Sequence, residues 1–378
     1  MNIVEPIFWQ CRSKPAEIAI SAPGTDLNIV SYARLEYMID NLCHRIISSG
    51  LVAGDRVAVY IVDQLLHSFV LIALTRLGIV TSSGHDKGFK WPFSLTAVLS
   101  DTPFQSFSGR LILIDFGWIS GIDAKLDQKH IHFAAPDDLC CIFLTSVPMG
   151  AEKAVAITNR IMIERLTRQY LFLGSLVSGS SRIFTDLSMT TSLGFQLLFA
   201  TLWRGGAFFL KGTPQATFNA LPIYRVQSAV MTPVGISELL EFANKRASYE
   251  CRFETIFSTG GSVSQDLINQ ARMRLSPNIS VGYYLTESGM VSSMPVQFGS
   301  GIIGASGFIL PDVLVQIVDD KGTALPPNRV GTVRIKSRVG VTEYLEDPTA
   351  SSIMFRDDWF YPGDSGYLTD DNMLVIAG

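Results

Sequence analysis

Residues 56–82, RVAVYIVDQLLHSFVLIALTRLGIVTS, contain a strand, a helix and a second strand in close succession. Valine, isoleucine and tyrosine dominate residues 56–62, which predicts a strand. The longer apolar run over 65–77 predicts a buried helix, and residues 79–82 predict a second short strand. Strands that are joined through a helix favour a parallel sheet covered by helices on both faces.

The same alternation continues on either side of this stretch. Residues 32–49 have helical periodicity, with one apolar face made of Leu35, Met38, Ile39, Leu42 and Ile46. Residues 111–115 and 140–144 are further predicted strands. Later in the chain we predict helices at 193–203, 235–246 and 264–274, and strands at 206–211, 228–231, 254–258 and 278–283.

After about residue 295 the pattern changes to short strands joined by turns. The stretch VLVQIVDDKGTALPPNRVGTVRIKS (313–337) predicts strand, turn and strand, with Asp320-Lys321-Gly322 in the turn, and MLVIAG (373–378) predicts another strand. We therefore expect an α/β fold with two mixed or parallel sheets flanked by helices, plus a smaller antiparallel, barrel-like subdomain. The expected parts are 1–185, 186–295 and 296–378.

Composition narrows the class of protein. Hydrophobic residues make up 47% of the 378 residues and charged residues 17%, which favours a packed globular protein. The net charge is −4, and the absence of a basic cluster argues against a nucleic-acid partner. The apolar stretches 69–83 and 193–210 are interrupted by arginine and fall short of a membrane span, so we interpret each as a buried helix followed by a strand.

The five cysteines indicate the cellular compartment in which the protein is expected. Their number is odd, and Cys140-Cys141 lies in an apolar, strand-like run. This pattern favours reduced, buried thiols over a disulfide framework, and the start of the chain lacks the features of a signal peptide. We expect a cytoplasmic protein.

Four separated segments carry glycines, hydroxyls and carboxylates at the ends of predicted strands. They are CIFLTSVPMGAEKAVAIT (141–158), FSTGGSVSQ (257–265), VGYYLTESGM (281–290) and FYPGDSGYLTDDNMLVIAG (360–378). The first is predicted as a strand, a loop and the start of a helix near Lys153. A hydroxyl-rich turn with a glycine and a lysine is typical of phosphate-binding loops.

Together, the order and spacing of these segments resemble the adenylate-forming superfamily, which includes acyl- and aryl-CoA synthetases, peptide-synthetase adenylation domains and luciferases. The resemblance runs through nearly the whole chain. It implies that a carboxylic acid attacks the α-phosphate of Mg-ATP, giving an acyl-adenylate and pyrophosphate. A thiol, of CoA or of an acyl carrier protein, then takes the acyl group. The implied small molecules are ATP and AMP, Mg²⁺ and CoA.

The resemblance implies roles for residues in three of the segments. The ring of Tyr283 stacks on adenine, Thr286 donates to the α-phosphate, and Glu287 binds Mg²⁺. Tyr284 stands where the family has glycine and borders the nucleotide. Asp364 accepts from the ribose hydroxyls. Further nucleotide-binding residues implied by the match are Gly260, Gly261 and Ser262.

The phosphate loop keeps only part of the family pattern, which is approximately Thr-Ser-Gly-Thr-Thr-Gly-x-Pro-Lys-Gly. Thr145, Ser146, Gly150 and Lys153 match it, and Lys153 is implied to act in catalysis with Thr286 and Glu287. The stretch 147–149, Val-Pro-Met, offers no side-chain donors, and its proline lacks a backbone N–H. We expect this loop to bind the β- and γ-phosphates weakly or not at all.

Residues 187–195, LSMTTSLGF, bear on the substrate. Amino-acid-activating relatives carry an aspartate here that pairs with the ammonium group, whereas this chain has Thr190 and Thr191. The adjoining Leu193, Gly194 and Phe195 are apolar or small, which favours an aryl or fatty acid.

The sequence leaves two functions open. One is a carboxylate–thiol ligase, for which we expect a chain truncated after its last strand and lacking the family's small C-terminal domain. The other is a non-catalytic, adenylation-like binding protein. Thr286, Glu287 and Asp364 favour retained nucleotide binding, whereas the altered loop favours lost ATP turnover.

Overall fold

The computed structural model describes residues 2–84, 91–103, 109–145, 152–172, 181–246 and 252–377. The helices in these ranges are α1 (Glu5–Ser13), α2 (Tyr32–Ser48), α3 (Gln64–Arg76), α4 (Asn159–Phe172), α5 (Ser192–Trp203), α6 (Pro214–Ile223), α7 (Pro233–Asn244), α8 (Gln265–Arg274) and α9 (Pro348–Met354).

The strands in the same ranges are β1 (Ile18–Ser21), β2 (Ile29–Ser31), β3 (Arg56–Tyr60), β4 (Val80–Ser83), β5 (Ala97–Ser100), β6 (Leu111–Leu113), β7 (Leu139–Thr145), β8 (Lys153–Thr158), β9 (Arg182–Thr185), β10 (Ala207–Phe209), β11 (Ser228–Met231), β12 (Thr255–Ser258), β13 (Ile279–Leu285), β14 (Gly289–Pro295), β15 (Ala305–Ile309), β16 (Val313–Val318), β17 (Gly331–Ser337), β18 (Phe355–Arg356), β19 (Trp359–Phe360), β20 (Ser365–Leu368) and β21 (Met373–Ile376).

Two units make up the chain. Unit 1 comprises Met1–Thr145, Lys153–Arg182 and Ser188–Gly212. Unit 2 comprises Ser146–Glu152, Ile183–Leu187 and Thr213–Gly378. The three-part division expected from the sequence stays a prediction.

Unit 1 contains the strand–helix–strand stretch from which the fold was predicted. Its six-stranded sheet has the order β6-β5-β3-β4-β7-β8, and its strands are parallel except for β8. Asp63 caps α3 by accepting from the backbone N–H groups of Leu65 and Leu66, both at 2.9 Å. Nearly every residue of α3 is buried, which explains its uniformly apolar sequence.

The apolar stretches 69–83 and 193–210 are confirmed as helix-then-strand pairs, α3 with β4 and α5 with β10. None of the helices in the described ranges combines the length and apolarity needed to cross a lipid bilayer. Cys11, Cys43, Cys140 and Cys141 are buried free thiols, and burial raises the pKa of Cys43 to about 12. Cys251 lies outside the described residues.

The predicted helix start at Lys153 is wrong. Residues 153–158 form β8, which pairs antiparallel with β7 in a register that sets Thr145 opposite Lys153, and α4 begins only at Asn159. Val155, Ile157 and Thr158 are β-branched and favour a strand. In addition, β8 supplies β7 with the hydrogen-bonding partner that its outer edge otherwise lacks.

Unit 2 is built on one sheet with a parallel part and an antiparallel part. Strands β9, β11, β12 and β13 are parallel neighbours. From β13 the sheet continues antiparallel in the order β14-β15-β21-β20-β17-β19-β18, and β16 pairs with β17. The expected α/β class with two helix-flanked sheets and antiparallel strands after residue 295 is confirmed.

A buried ion pair stabilises unit 1. Arg76 is 5% exposed and donates from Nη1 to Asp40 Oδ1 at 2.6 Å. Its guanidinium carbon lies 3.4 Å from the ring centroid of Phe8, and its Nε is 3.6 Å from Glu5 Oε1. The contact joins three helices, because Glu5 and Phe8 lie in α1, Asp40 in α2 and Arg76 in α3.

We predict that Arg76→Ala lowers the free energy of unfolding by about 3–5 kcal/mol, because it leaves the Asp40 carboxylate buried without its partner. Urea unfolding followed by circular dichroism measures this. Arg160→Ala is the control, since Arg160 and Asp137 pair at 3.2 Å with side chains 54% and 82% exposed. Its loss should be below about 1 kcal/mol. Equal losses in the two variants would contradict the assignment.

Candidate functional site

The carboxyl ends of three parallel strands of unit 2 meet at one edge of its sheet. Met231 in β11 is in register with Ser258 in β12, and Ser258 is in register with Val281 in β13. Just beyond β12, the backbone N–H of Thr259 donates to Met231 O at 3.1 Å, and Thr259 Oγ1 donates to Gly282 O at 3.2 Å. Ligands of open α/β sheets bind at this kind of edge.

The predicted residues Gly260, Gly261 and Ser262 form an exposed loop at this edge. Gly260 has φ +81°, a left-handed conformation that favours glycine. The loop leads into α8, whose first turn is capped by Ser264 accepting from the backbone N–H of Leu267 at 3.2 Å. The structure thus places an exposed glycine loop where the sequence predicted nucleotide contacts.

Three more of the predicted residues, Tyr284, Thr286 and Glu287, lie in and beside the turn between β13 and β14. Thr286 and Glu287 are turn residues, and the turn is closed by the pairing of Leu285 with Gly289. The ladder shifts register between Tyr283 and Tyr284, which marks a bulge. Tyr284, which replaces the family glycine, is accommodated in this irregular part of β13.

Glu287 is fixed through both its backbone and its side chain. Glu287 is 4% exposed, and its Oε1 accepts from the hydroxyl of Tyr344 at 2.9 Å. The backbone O of Glu287 accepts from Val341 N at 2.9 Å, and the O of Ser288 accepts from Ser337 Oγ at 2.9 Å. Burial, together with Glu287, raises the pKa of Tyr344, so its phenol stays protonated and can donate.

The structure brings Tyr283 and Asp364 together, although 81 residues separate them. The Tyr283 hydroxyl donates to Asp364 Oδ2. Burial and this hydrogen bond raise the pKa of Tyr283, which therefore remains a donor at neutral pH. The backbone O of Asp364 accepts from Val333 N at 3.0 Å, which ties its loop to β17. The residues predicted to meet adenine and ribose are thus in direct contact.

Sequence reasoning missed Asp186, which follows β9. Its Oδ1 accepts from the backbone N–H of Thr232 at 2.9 Å, and its Oδ2 accepts from Thr232 Oγ1 at 2.5 Å. A Cβ on Gly235 would lie 2.1 Å from Asp186 Oδ2, so the glycine is required for this approach. A Cβ built on Gly260 would lie 3.7 Å from Thr232 Cγ2, so the segment that Asp186 holds lies beside the glycine loop. An aspartate directly after a parallel strand was the available signal.

The residues used to predict the substrate lie in unit 1. Thr191 caps α5 by accepting from Gly194 N at 3.1 Å, and Thr190 Oγ1 donates to Ser188 Oγ at 3.0 Å. Leu193 and Phe195 are buried, and the Phe195 ring stacks on Phe199 with centroids 4.3 Å apart. These residues therefore contribute to the core of unit 1.

Most of the predicted phosphate loop lies outside the described residues, including Ser146 and Gly150. Thr145 is the last residue of β7 and Lys153 is the first residue of β8, and the two are opposite each other in the β7–β8 register. Both belong to unit 1. Their part in phosphate binding stays a prediction.

The residues at the unit 2 edge are suited to a nucleotide whose phosphates supply most of the ligands of a bound metal ion. Mg²⁺ is usually bound through one or two carboxylates together with substrate phosphates and water. Glu287 supplies one buried carboxylate, and within the described ranges no three His, Cys, Asp or Glu side chains form a metal-binding group. The hydroxyls of Ser258 and Ser288, at this edge, are buried without a hydrogen-bond partner in the same ranges. Such atoms suit a polar ligand.

Comparison with known proteins gives the family. Residues 97–345, more than half of the chain, match the family described as AMP-binding enzyme. The putative acyl–CoA ligase YdaB of Bacillus subtilis (strain 168) is 20% identical over 394 residues, covering 96% of this chain and 77% of that protein. The fatty acid–[acyl-carrier-protein] ligase ScoC of Streptomyces coeruleorubidus is 22% identical over 414 residues, covering 99% of this chain and 76% of that protein.

A solved structure has the same fold. The o-succinylbenzoate CoA synthetase MenE of Bacillus subtilis, in complex with the acyl-adenylate intermediate OSB-AMP, superposes with a TM-score of 0.82 at 18% identity. The match covers 98% of each chain. The fold, the edge of unit 2 and the family match agree, and this chain belongs to the AMP-binding enzyme family.

Proposed function

We propose that this chain activates a carboxylic acid with ATP. The reaction joins the acid to the α-phosphate, releases pyrophosphate and leaves an acyl-adenylate, which then passes its acyl group to a thiol and releases AMP. The observation that carries the proposal is the edge of unit 2, where Tyr283, Asp364 and Glu287 are held by contacts within the protein. Family membership supports the same reaction.

In this proposal the chain acts by positioning and by stabilising charge. Asp364 accepts from the ribose hydroxyls, and the Tyr283 ring supports adenine. Thr286 donates to the α-phosphate from the turn next to Glu287. Bound Mg²⁺ would neutralise phosphate charge, and Glu287 would be its protein ligand. Groups fixed before the substrate arrives need no reorganisation when negative charge shifts onto pyrophosphate.

For the acid we propose an aryl or fatty acid. Support comes from a relative named for a fatty acid and from a structural neighbour named for o-succinylbenzoate. Both carboxylate oxygens of Asp186 accept hydrogen bonds from Thr232, which leaves this aspartate poorly suited to pair with a substrate ammonium group.

For the acceptor we propose the thiol of CoA, with the thiol of an acyl carrier protein as the second choice. Relatives named for each acceptor support these choices. The four buried free thiols in the described part of the chain support a reducing, cytoplasmic location.

A second function is favoured by one observation on the sequence. Residues 147–149 are Val-Pro-Met, which provide no side-chain donor for a polyphosphate. A chain with this loop and with an intact unit 2 edge could bind AMP or an acyl-adenylate without making it. ATP turnover separates the two functions.

We predict that AMP and Mg-ATP both bind to the chain and that Asp364→Ala weakens both by at least tenfold, because the ribose hydroxyls lose their acceptor. Isothermal titration calorimetry measures this. Asp370→Ala is the matched control, since Asp370 is an exposed aspartate six residues away that accepts from Asn328 at 3.0 Å. The site assignment is wrong if neither nucleotide binds, or if the two variants behave alike.

Release of pyrophosphate from ATP, measured with a panel of aryl and fatty acids, then distinguishes the two functions. Acid-dependent release that is lost in Glu287→Gln supports the ligase. Binding of AMP without release under any acid supports the non-catalytic protein. Mg-ATP that binds much more weakly than AMP would assign the defect to residues 145–153.

We also predict that Tyr283→Phe weakens AMP binding about tenfold, which is about 1.4 kcal/mol. The variant keeps the ring for stacking but removes the donor that orients the Asp364 carboxylate. Tyr361→Phe is the control, because the Tyr361 hydroxyl accepts from Arg334 at 3.1 Å elsewhere in unit 2. Tighter AMP binding by Tyr283→Phe would instead mean that the tyrosine competes with ribose for the carboxylate.

A further inference from the structure

We infer that Tyr344 is a positioning residue for the proposed metal-binding carboxylate of Glu287. The inference rests on the proposed function, because it assigns Glu287 to Mg-ATP. Tyr344 lies 57 residues beyond Glu287 in the chain, and its hydroxyl donates to Oε1 at 2.9 Å. A hydrogen bond to one carboxylate oxygen restricts rotation of the group and so sets the direction of the other oxygen.

The contact is well shielded from water. Tyr344 is 2% exposed and Glu287 is 4% exposed. A hydrogen bond between a phenol and a carboxylate in such surroundings is stronger than one at the surface. Removing the hydroxyl takes this donor away from Oε1 and weakens the restraint on the carboxylate.

Tyr344 is itself held in place. Its ring meets Phe355 edge-on with centroids 5.2 Å apart, and its backbone N–H donates to Ser351 Oγ at 2.9 Å. Ser351 lies in α9, whose first turn is capped by Asp347 accepting from Ala350 N at 2.9 Å. The backbone that carries the phenol is therefore held in place. A side chain needs such support if it is to orient another residue.

The same short segment holds the Glu287 backbone. Val341 N donates to Glu287 O at 2.9 Å, three residues before Tyr344. The position of the turn is thus secured by a backbone contact that does not need the phenol. Loss of the hydroxyl should change the orientation of the carboxylate while leaving the turn in place.

Tyr32 provides a matched comparison. It is also fully buried, and its hydroxyl donates to the backbone O of Gly206 at 2.8 Å. It contacts helix and loop carbonyls of unit 1 and belongs to no predicted site. Tyr32→Phe therefore removes a buried hydroxyl and a hydrogen bond without affecting Glu287.

The test is calorimetric binding of ATP across a Mg²⁺ titration, with AMP binding in the absence of Mg²⁺ as a second readout. We expect Tyr344→Phe to raise the Mg²⁺ concentration for half-maximal enhancement of ATP binding by about 3–10-fold. Its affinity for AMP should stay within about twofold of the wild type, which also shows that unit 2 is folded. Ser351→Ala, which loosens the Tyr344 backbone, should shift the Mg²⁺ dependence in the same direction by less.

Two further variants serve as references for the Tyr344→Phe result. Glu287→Gln should abolish the enhancement by Mg²⁺, and Tyr32→Phe should leave both the Mg²⁺ dependence and the AMP affinity unchanged. An unchanged Mg²⁺ dependence in Tyr344→Phe, with Glu287→Gln impaired, would overturn the positioning role while leaving the proposed function intact. Equal weakening of AMP and Mg-ATP would also overturn it, because the effect would then be general. A wild-type chain that binds neither nucleotide would overturn the proposed function as well.

Discussion

The position of β13 within its sheet determines the candidate site. This strand is parallel to β12 on one side and antiparallel to β14 on the other, so it joins the two parts of unit 2. Its parallel pairing brings its carboxyl end beside the Gly260–Gly261 loop, and its antiparallel pairing forces the chain to turn at Thr286 and Glu287. A shift of one residue in this register would exchange the faces of Tyr283 and Tyr284 and separate Tyr283 from Asp364.

Hydrogen bonds from the antiparallel part of the sheet then hold the residues at the carboxyl end of β13 in place. Tyr344 donates to the carboxylate of Glu287, Val341 donates to its backbone, and Asp364 accepts from Tyr283. Each predicted ligand carboxylate is therefore held by a protonated phenol. Two acidic groups prepared in this way before a nucleotide arrives fit the chemistry of an adenylate-forming enzyme, in which orientation and charge do most of the work.

The sequence was sufficient for features whose cause is local. The buried helix α3 and the strands around it follow from apolar runs of different length, and the antiparallel strands follow from turn residues. The prediction from the sequence was wrong at residues 153–158, where an apolar run after a loop is compatible with either a helix or a strand. Pairing with β7 decided in favour of a strand, and that contact is not visible in the local pattern. Tyr344 and Asp186 were missed for the same reason, since each acts through a partner more than 40 residues away. Tyr283, Thr286 and Glu287 were predicted as site residues because they stand close together in one motif, and their roles stay predictions.

We expect the edge of unit 2 formed around β13 to bind the adenosine part of a nucleotide. A crystal structure of the chain grown with AMP would show whether it does. The adenine ring should lie against Tyr283, with the ribose hydroxyls within about 2.7–3.2 Å of the Asp364 carboxylate. AMP bound elsewhere on the chain, with the hydrogen bond between Tyr283 and Asp364 intact and no nucleotide beside it, would show that the site is assigned wrongly.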